Sequence, residues 1–217
     1  MKKISAKETV MKIATTKETV MEKAPTKEIV IASYKEPMEW VTEIPSDWKV
    51  TVYNTCETPR AFPKGITPIA LPNVGREAGQ WVFHLYDRYQ SLADFTMFCQ
   101  ADKLHVPAAI DAILKGDLPT RPFSYLGVEL ERFHYSHPMF EPHRLLLQRV
   151  WLDEPIPEVI PFMVGAQFYV TKKTVENRPR EHYKRLLDTI REQYPPMQSS
   201  AHLLEACWGC VFQINRN

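Results

Sequence analysis

From Lys27 onward, short apolar runs alternate with stretches whose apolar residues recur at helical spacing. Ile29-Val30-Ile31-Ala32-Ser33-Tyr34 is a mainly apolar run with the length and β-branching of a buried strand. Pro37 to Ile44 reads as a brief helix stopped by Pro45, and Trp48 to Asn54 as a second strand with Val50 and Val52 alternating. Asn73-Val74-Gly75-Arg76-Glu77 opens a helix with Ala78, Val82, Leu85 and Tyr89 at i, i+4, i+7 and i+11, which is one apolar face. Phe95 to Cys99 is the next buried strand, and Val106 to Lys115 a helix closed by Gly116.

Beyond this the pattern changes. Asp117 to Pro161 carries seven prolines (119, 122, 138, 142, 155, 157 and 161), which leaves room for short elements only. Regularity returns with a strand over Phe162 to Val170. Pro179 suits the first turn of a helix bearing Tyr183, Leu186, Leu187, Ile190 and Tyr194. Ser199 or Ser200 caps a last helix running through Phe212. Such alternation predicts an α/β fold over 27–217: a single-domain, three-layer sandwich around a mostly parallel sheet.

The first 26 residues follow another rule. Lys7-Glu8-Thr9-Val10-Met11 returns as Lys17-Glu18-Thr19-Val20-Met21 and again as Lys27-Glu28-Ile29-Val30-Ile31, a step of ten residues. Such a step turns a helix by about 1000°, so successive copies sit about 80° apart and make no common stripe. A disordered leader over 1–26 is the expectation, duplicated from the start of the first strand. With 27 basic and 26 acidic residues, no basic footprint for nucleic acid is expected. No apolar run approaches the roughly 18–20 residues of a membrane span, and no secretory h-region is seen, so the expected location is the cytoplasm.

Candidate chemistry lies at strand ends, because ligands of open α/β sheets bind beyond the carboxyl ends of the strands. These ends read Ser33-Tyr34-Lys35-Glu36, Asn54-Thr55 and Gln100-Ala101-Asp102, with His105 close behind. In Asn73-x-Gly75-Arg76-Glu77, Asn73 is placed to cap, Gly75 admits a close backbone approach, and free helix amides beside Arg76 suit a diphosphate. On the last helix, His202 and Glu205 share a face apart from Leu203, Cys207 and Cys210, which positions Glu205 as a general base. Cys207-Trp208-Gly209-Cys210 has redox-dithiol spacing but ends a helix rather than opening one, so it reads as packing. His134, His137 and His143 have metal-like spacing. Tyr135, Phe140 and Trp151 beside them suit a sugar-acceptor groove equally well.

Ile29 to Glu36, Leu71 to Ala78, Leu92 to Gln100, 165–170 and Glu205-x-x-Trp208-x-x-x-Phe212 resemble a domain-of-unknown-function family of bacteria, fungi and large viruses, over roughly 28–212. The layout is also similar to the glycosyltransferase-A fold. That second resemblance implies transfer of a sugar from a nucleoside-diphosphate donor to a glycan or other hydroxyl acceptor. It assigns the nucleotide sugar to Tyr34, Glu36, Asn54, Asn73, Gly75, Arg76 and Gln100. It assigns the acceptor to Gln167, His202 and Trp208, catalysis to Glu205 and Asp102, and a divalent ion (Mn²⁺ or Mg²⁺) to Asp102 and His105. The sequence departs from the fold's Asp-x-Asp pattern at Gln100, leaving Asp102 as the sole carboxylate there. A non-catalytic nucleotide- or carbohydrate-binding domain therefore stands as the alternative, and a metal-dependent hydrolase using Asp102 and the histidines as a third.

Overall fold

The computed structural model describes residues 24–103, 106–127, 129–152, 154–163, 166–195 and 200–212. The leader expected over 1–26 lies almost wholly outside them. So does His105, the expected second metal ligand.

Three apolar runs form the centre of a six-stranded sheet: β1 (Lys27–Ser33), β2 (Trp48–Asn54) and β4 (Phe95–Gln100). β1 lies between the other two, parallel to both, with Ser33 level with Asn54 and Ala32 level with Gln100. This register brings three carboxyl ends to one rim. The two-residue β3 (Ile69–Ala70) extends the parallel set beside β2. On the other side, β8 (Phe168–Thr171) runs antiparallel to β4, and β5 (Phe123–Tyr125) antiparallel to β8. The sheet order is β3-β2-β1-β4-β8-β5.

Alternation along β1 sends Val30 and Ala32 into one core and Ile29 and Ile31 into another. The larger core lies under α1 (Arg76–Asp87), α3 (Phe140–Trp151), α5 (Arg180–Arg191) and α6 (Ser200–Val211). The smaller lies under a 3-10 turn at Glu39–Glu43 and α2 (Pro107–Leu114). Helical layers thus cover both faces of the sheet. A short α4 (Lys172–Glu176), capped by the Thr171 hydroxyl, follows β8.

Two expectations need correction. The proline-rich stretch holds a twelve-residue helix, α3, and, on either side of it in the chain, β6 (Glu129–His134) and β7 (Val159–Met163), which pair antiparallel as a second, two-stranded sheet. Pro142 is the third residue of α3, where a backbone N–H has no intrahelical partner to lose. The strand expected over Phe162 to Val170 is instead the end of β7 and the start of β8. Ala166 between them has φ +52°, a left-handed residue that ends one strand before the other begins.

Candidate functional site

Beyond the level carboxyl ends of β1, β2 and β4 lies a cavity of about 500 Å³. Its walls come from the rim (Ala32, Ser33, Tyr34, Glu36, Thr55, Gln100, Asp102), the start of α1 (Asn73, Arg76, Glu77, Gln80) and Glu205 of α6. Seven residues singled out from sequence therefore meet in one place: Tyr34, Glu36, Asn73, Arg76, Gln100, Asp102 and Glu205.

Backbone hydrogen bonds continue the sheet past its strands and fix this rim. The Thr55 amide donates to the Ser33 carbonyl at 3.0 Å, and the Ala101 amide to the Ala32 carbonyl at 2.9 Å. Arg60, which sequence reasoning missed, staples the lip. One guanidinium nitrogen donates to the Tyr34 carbonyl (2.9 Å) and the Ser33 hydroxyl (3.3 Å), the other to the Glu36 carbonyl (2.5 Å). Its guanidinium carbon sits 4.9 Å from the Phe62 ring centre. The Glu36 carboxylate accepts from the Tyr34 amide at 2.7 Å, closing a tight turn. On the Asp102 side, Trp40 donates its indole N–H to the Ala101 carbonyl at 2.6 Å, and Lys103 lies over the Trp40 ring while pairing with Asp111 at 2.8 Å.

Helix α1 begins at Gly75 in the left-handed region (φ +75°), not at a capping Asn73 side chain. A Cβ on Gly75 would lie 2.1 Å from Ile190 Cγ2 of α5, so this glycine serves helix packing. Gly79 is required too, since its Cβ would lie 1.9 Å from the Val74 carbonyl oxygen. With the start of α1 drawn against α5, Asn73, Arg76, Glu77 and Gln80 border the cavity. Glu205 is positioned by its neighbours: the buried Tyr125 hydroxyl donates to the Ala206 carbonyl (2.9 Å) and accepts from the Gly209 amide (2.8 Å).

The cavity is acidic, with Glu36, Glu77, Asp102 and Glu205 against the single guanidinium of Arg76. Burial holds the Glu77 carboxyl above its ordinary value, and the charge of Glu205 adds to that rise; Arg76 and His202 oppose it. Ser33, Thr55 and Glu77, which belong to the strand-end and helix-start motifs but were given no role of their own, also line it, and Ala32 and Gln80 complete the lining without having been singled out from sequence. Gln80 had one readable signal: it is i+4 from Arg76 and i+3 from Glu77, so it shares their helix face.

The remaining expected residues lie elsewhere. Asn54 spends its side chain on a local turn, bonding the Cys56 amide and carbonyl, and only its neighbour Thr55 reaches the cavity. Gln167 is fully buried, with neither amide atom hydrogen-bonded among the described residues. Trp208 is likewise sealed in the aromatic core, 4.7 Å from Phe168 and 6.0 Å from Trp81 between ring centres, which removes it from any acceptor. His202 is exposed one turn before Glu205, outside the cavity lining. Cys207 and Cys210 are buried in α6, and burial pushes the Cys207 thiol well up, as inert packing requires.

The histidine cluster makes no zinc site. His137 pairs with Glu131 at 3.2 Å, and its Nδ1 accepts from the Met139 amide. Buried His143 turns Nδ1 to the Met139 carbonyl at 2.5 Å. Among the described residues no three His, Cys, Asp or Glu side chains are grouped to hold a metal. Phe140 and Trp151 are core residues, so only Tyr135 of the expected acceptor aromatics is exposed. No described helix is long and apolar enough to cross a membrane.

Fold and site together define an α/β protein with one polar, acidic cavity at the carboxyl end of a mostly parallel sheet. The chain belongs to the family described as "Protein of unknown function (DUF3431)", whose model matches residues 29–115 and 133–217. No curated protein matches it.

Proposed function

We propose that this protein is a glycosyltransferase of the glycosyltransferase-A kind, moving a sugar from a nucleoside diphosphate to a hydroxyl acceptor. One observation carries the reading. Asp102 after β4, Arg76 at the start of α1 and Glu205 on α6 line the same cavity, although they are far apart in sequence.

In this reading the diphosphate lies before the first turn of α1, where the helix N-terminus and Arg76 meet its charge. The acceptor oxygen attacks the anomeric carbon, the bond from that carbon to the diphosphate oxygen breaks, and Glu205 takes the acceptor's proton. Asp102 is the residue that would hold a divalent ion. Such an ion, when bound, neutralises charge on the diphosphate. Mg²⁺ uses one or two carboxylates and completes its shell with phosphate oxygens and water, so a lone carboxylate fits it. Among the described residues that line the cavity, four carboxylates stand against one guanidinium, so a divalent ion brought in with the diphosphate is part of this reading.

A binding domain without transfer is the second reading, favoured by Gln100 standing where the fold's first metal carboxylate is expected. Release of nucleoside diphosphate from a panel of nucleotide sugars separates the two. The transferase reading predicts that Asp102→Asn weakens donor binding, whereas Glu205→Gln spares it and slows turnover by about 10²–10⁴-fold. Nucleotide binding with no release in the parent supports the binding domain instead.

A further inference from the structure

Among the described residues of the cavity wall, one buried side-chain polar atom has no hydrogen-bond partner. Gln80 is 4% exposed and borders the cavity, one turn along α1 from Arg76. Its Nε2 donates to Thr55 Oγ1 at 3.4 Å, and Thr55 Oγ1 donates to the Ser33 carbonyl at 3.4 Å. A carbonyl only accepts, so the Thr55 proton is committed and its oxygen must receive from Gln80. In this arrangement the end of the carboxamide facing Thr55 is the NH₂. The other end, Oε1, is buried with no hydrogen-bond partner among the described residues.

Buried polar atoms without partners are uncommon and call for an explanation. The carboxylates of Glu36, Glu77, Asp102 and Glu205 are themselves acceptors and cannot supply what Oε1 lacks. The one bond that holds the amide, to Thr55, is at the long end of hydrogen-bond distances, so a donor in the cavity competes with it at little cost. A phosphate at neutral pH has little to donate, which excludes the diphosphate as the partner. The transferred sugar donates through its hydroxyls, and the nucleoside through ribose hydroxyls or a ring N–H of a uracil- or guanine-type base; UDP and GDP, which carry no transferred sugar, separate the two. Arg76 and Gln80 are four residues apart, about 6 Å along the helix axis, so phosphate and nucleoside can engage the same helix face.

We infer that Gln80 is a specificity-determining residue, whose Oε1 accepts a hydrogen bond from an O–H or N–H on the nucleoside part of the ligand. The inference rests on the nucleotide-sugar reading above.

The test is calorimetric titration of the full chain in Mn²⁺ with UDP and GDP, comparing the parent with Gln80→Met and Gln80→Leu. The expected result is at least about tenfold weaker binding in both variants. The unliganded variants should melt no lower than the parent, because an unmatched acceptor has been removed. 2′-Deoxy-UDP and 3-methyl-UDP identify the donor: the analogue lacking it binds the parent about tenfold more weakly but binds Gln80→Met no worse than UDP does. Parent-like affinity in the Gln80 variants overturns the inference and leaves the nucleotide reading standing. Failure of both variants to fold assigns Gln80 to the core and also overturns it. A parent that binds no nucleoside diphosphate removes the nucleotide reading itself, and this inference with it.

Discussion

At Gly75 two demands coincide: a left-handed backbone and a close approach by Ile190. A left-handed conformation costs a residue with a Cβ about 1–2 kcal/mol, and overpacking about 1–3 kcal/mol more. Gly75→Ala should therefore lower unfolding stability in urea by about 2–5 kcal/mol, while Gly65→Ala, also at positive φ but facing open space, should cost only the backbone part. Equal losses at the two positions would contradict the packing role. Gly75 was legible as a special position from its place in Asn73-x-Gly75-Arg76. Its reason was not, because Ile190 lies 115 residues away in sequence. Arg60 was illegible for a related cause: it is one cation in an irregular loop, and its value lies in carbonyls presented by another segment.

The helices over the larger core carry polar groups that their periodicity conceals. His84 of α1 is buried beside Tyr53, whose hydroxyl is 3.1 Å from its Nδ1, with Glu28 3.9 Å from Nε2. Burial lowers His84 to about 4 despite Glu28, with Lys49 and Arg88 assisting. Burial likewise lowers His182 of α5 to about 3, helped by Arg178 and Arg185 and opposed by Glu154. Both are neutral in the folded protein at pH 6, whereas the unfolded chain binds protons there with a pKa near 6.5. The unfolded state thus holds more protons below pH 6.5, and stability falls as pH drops from 6.5 toward 4. Each excluded proton contributes up to about 1.4 kcal/mol per pH unit; Glu77, with its raised carboxyl, works the other way. Urea unfolding at pH 7 and pH 5 should show this loss, and His84→Gln should flatten it. A pH-independent midpoint over that range would contradict it.

Element by element, the sequence was readable where one rule dominated. β1, β2, β4, α1 and α5 follow clean strand or helix periods, and β2 begins and ends where its pattern does. α3 was hidden because seven nearby prolines suggested interruption, although Pro142 falls at a position where a helix tolerates it. The β7–β8 boundary was hidden because a left-handed alanine carries no compositional mark. α6 is buried almost all round, so Trp208 could pass for a site residue; only His202 and Glu205 leave its core faces.

For the whole molecule, the parallel register of three strands is what turns separate strand-end motifs into one cavity. Residues immediately after those ends, or on the facing helix turn, were recoverable from sequence. Asn54, Gln167 and Trp208 were not: Asn54 is spent on a local turn with Cys56, while Gln167 and Trp208 are buried by packing that only the fold supplies. The cavity sets four carboxylates against one arginine, so a nucleoside diphosphate should enter with a divalent cation and lean on Arg76. The most direct measurement is calorimetric titration of nucleoside diphosphates in Mn²⁺ and in EDTA, on the parent and on Arg76→Ala. The account predicts that at least one nucleoside diphosphate binds in Mn²⁺, more weakly in EDTA, and about ten- to a hundred-fold more weakly in Arg76→Ala, the worth of a charge-assisted hydrogen bond of about 1.5–3 kcal/mol. No binding by any nucleoside diphosphate in Mn²⁺, or an affinity untouched by Arg76→Ala, would contradict it.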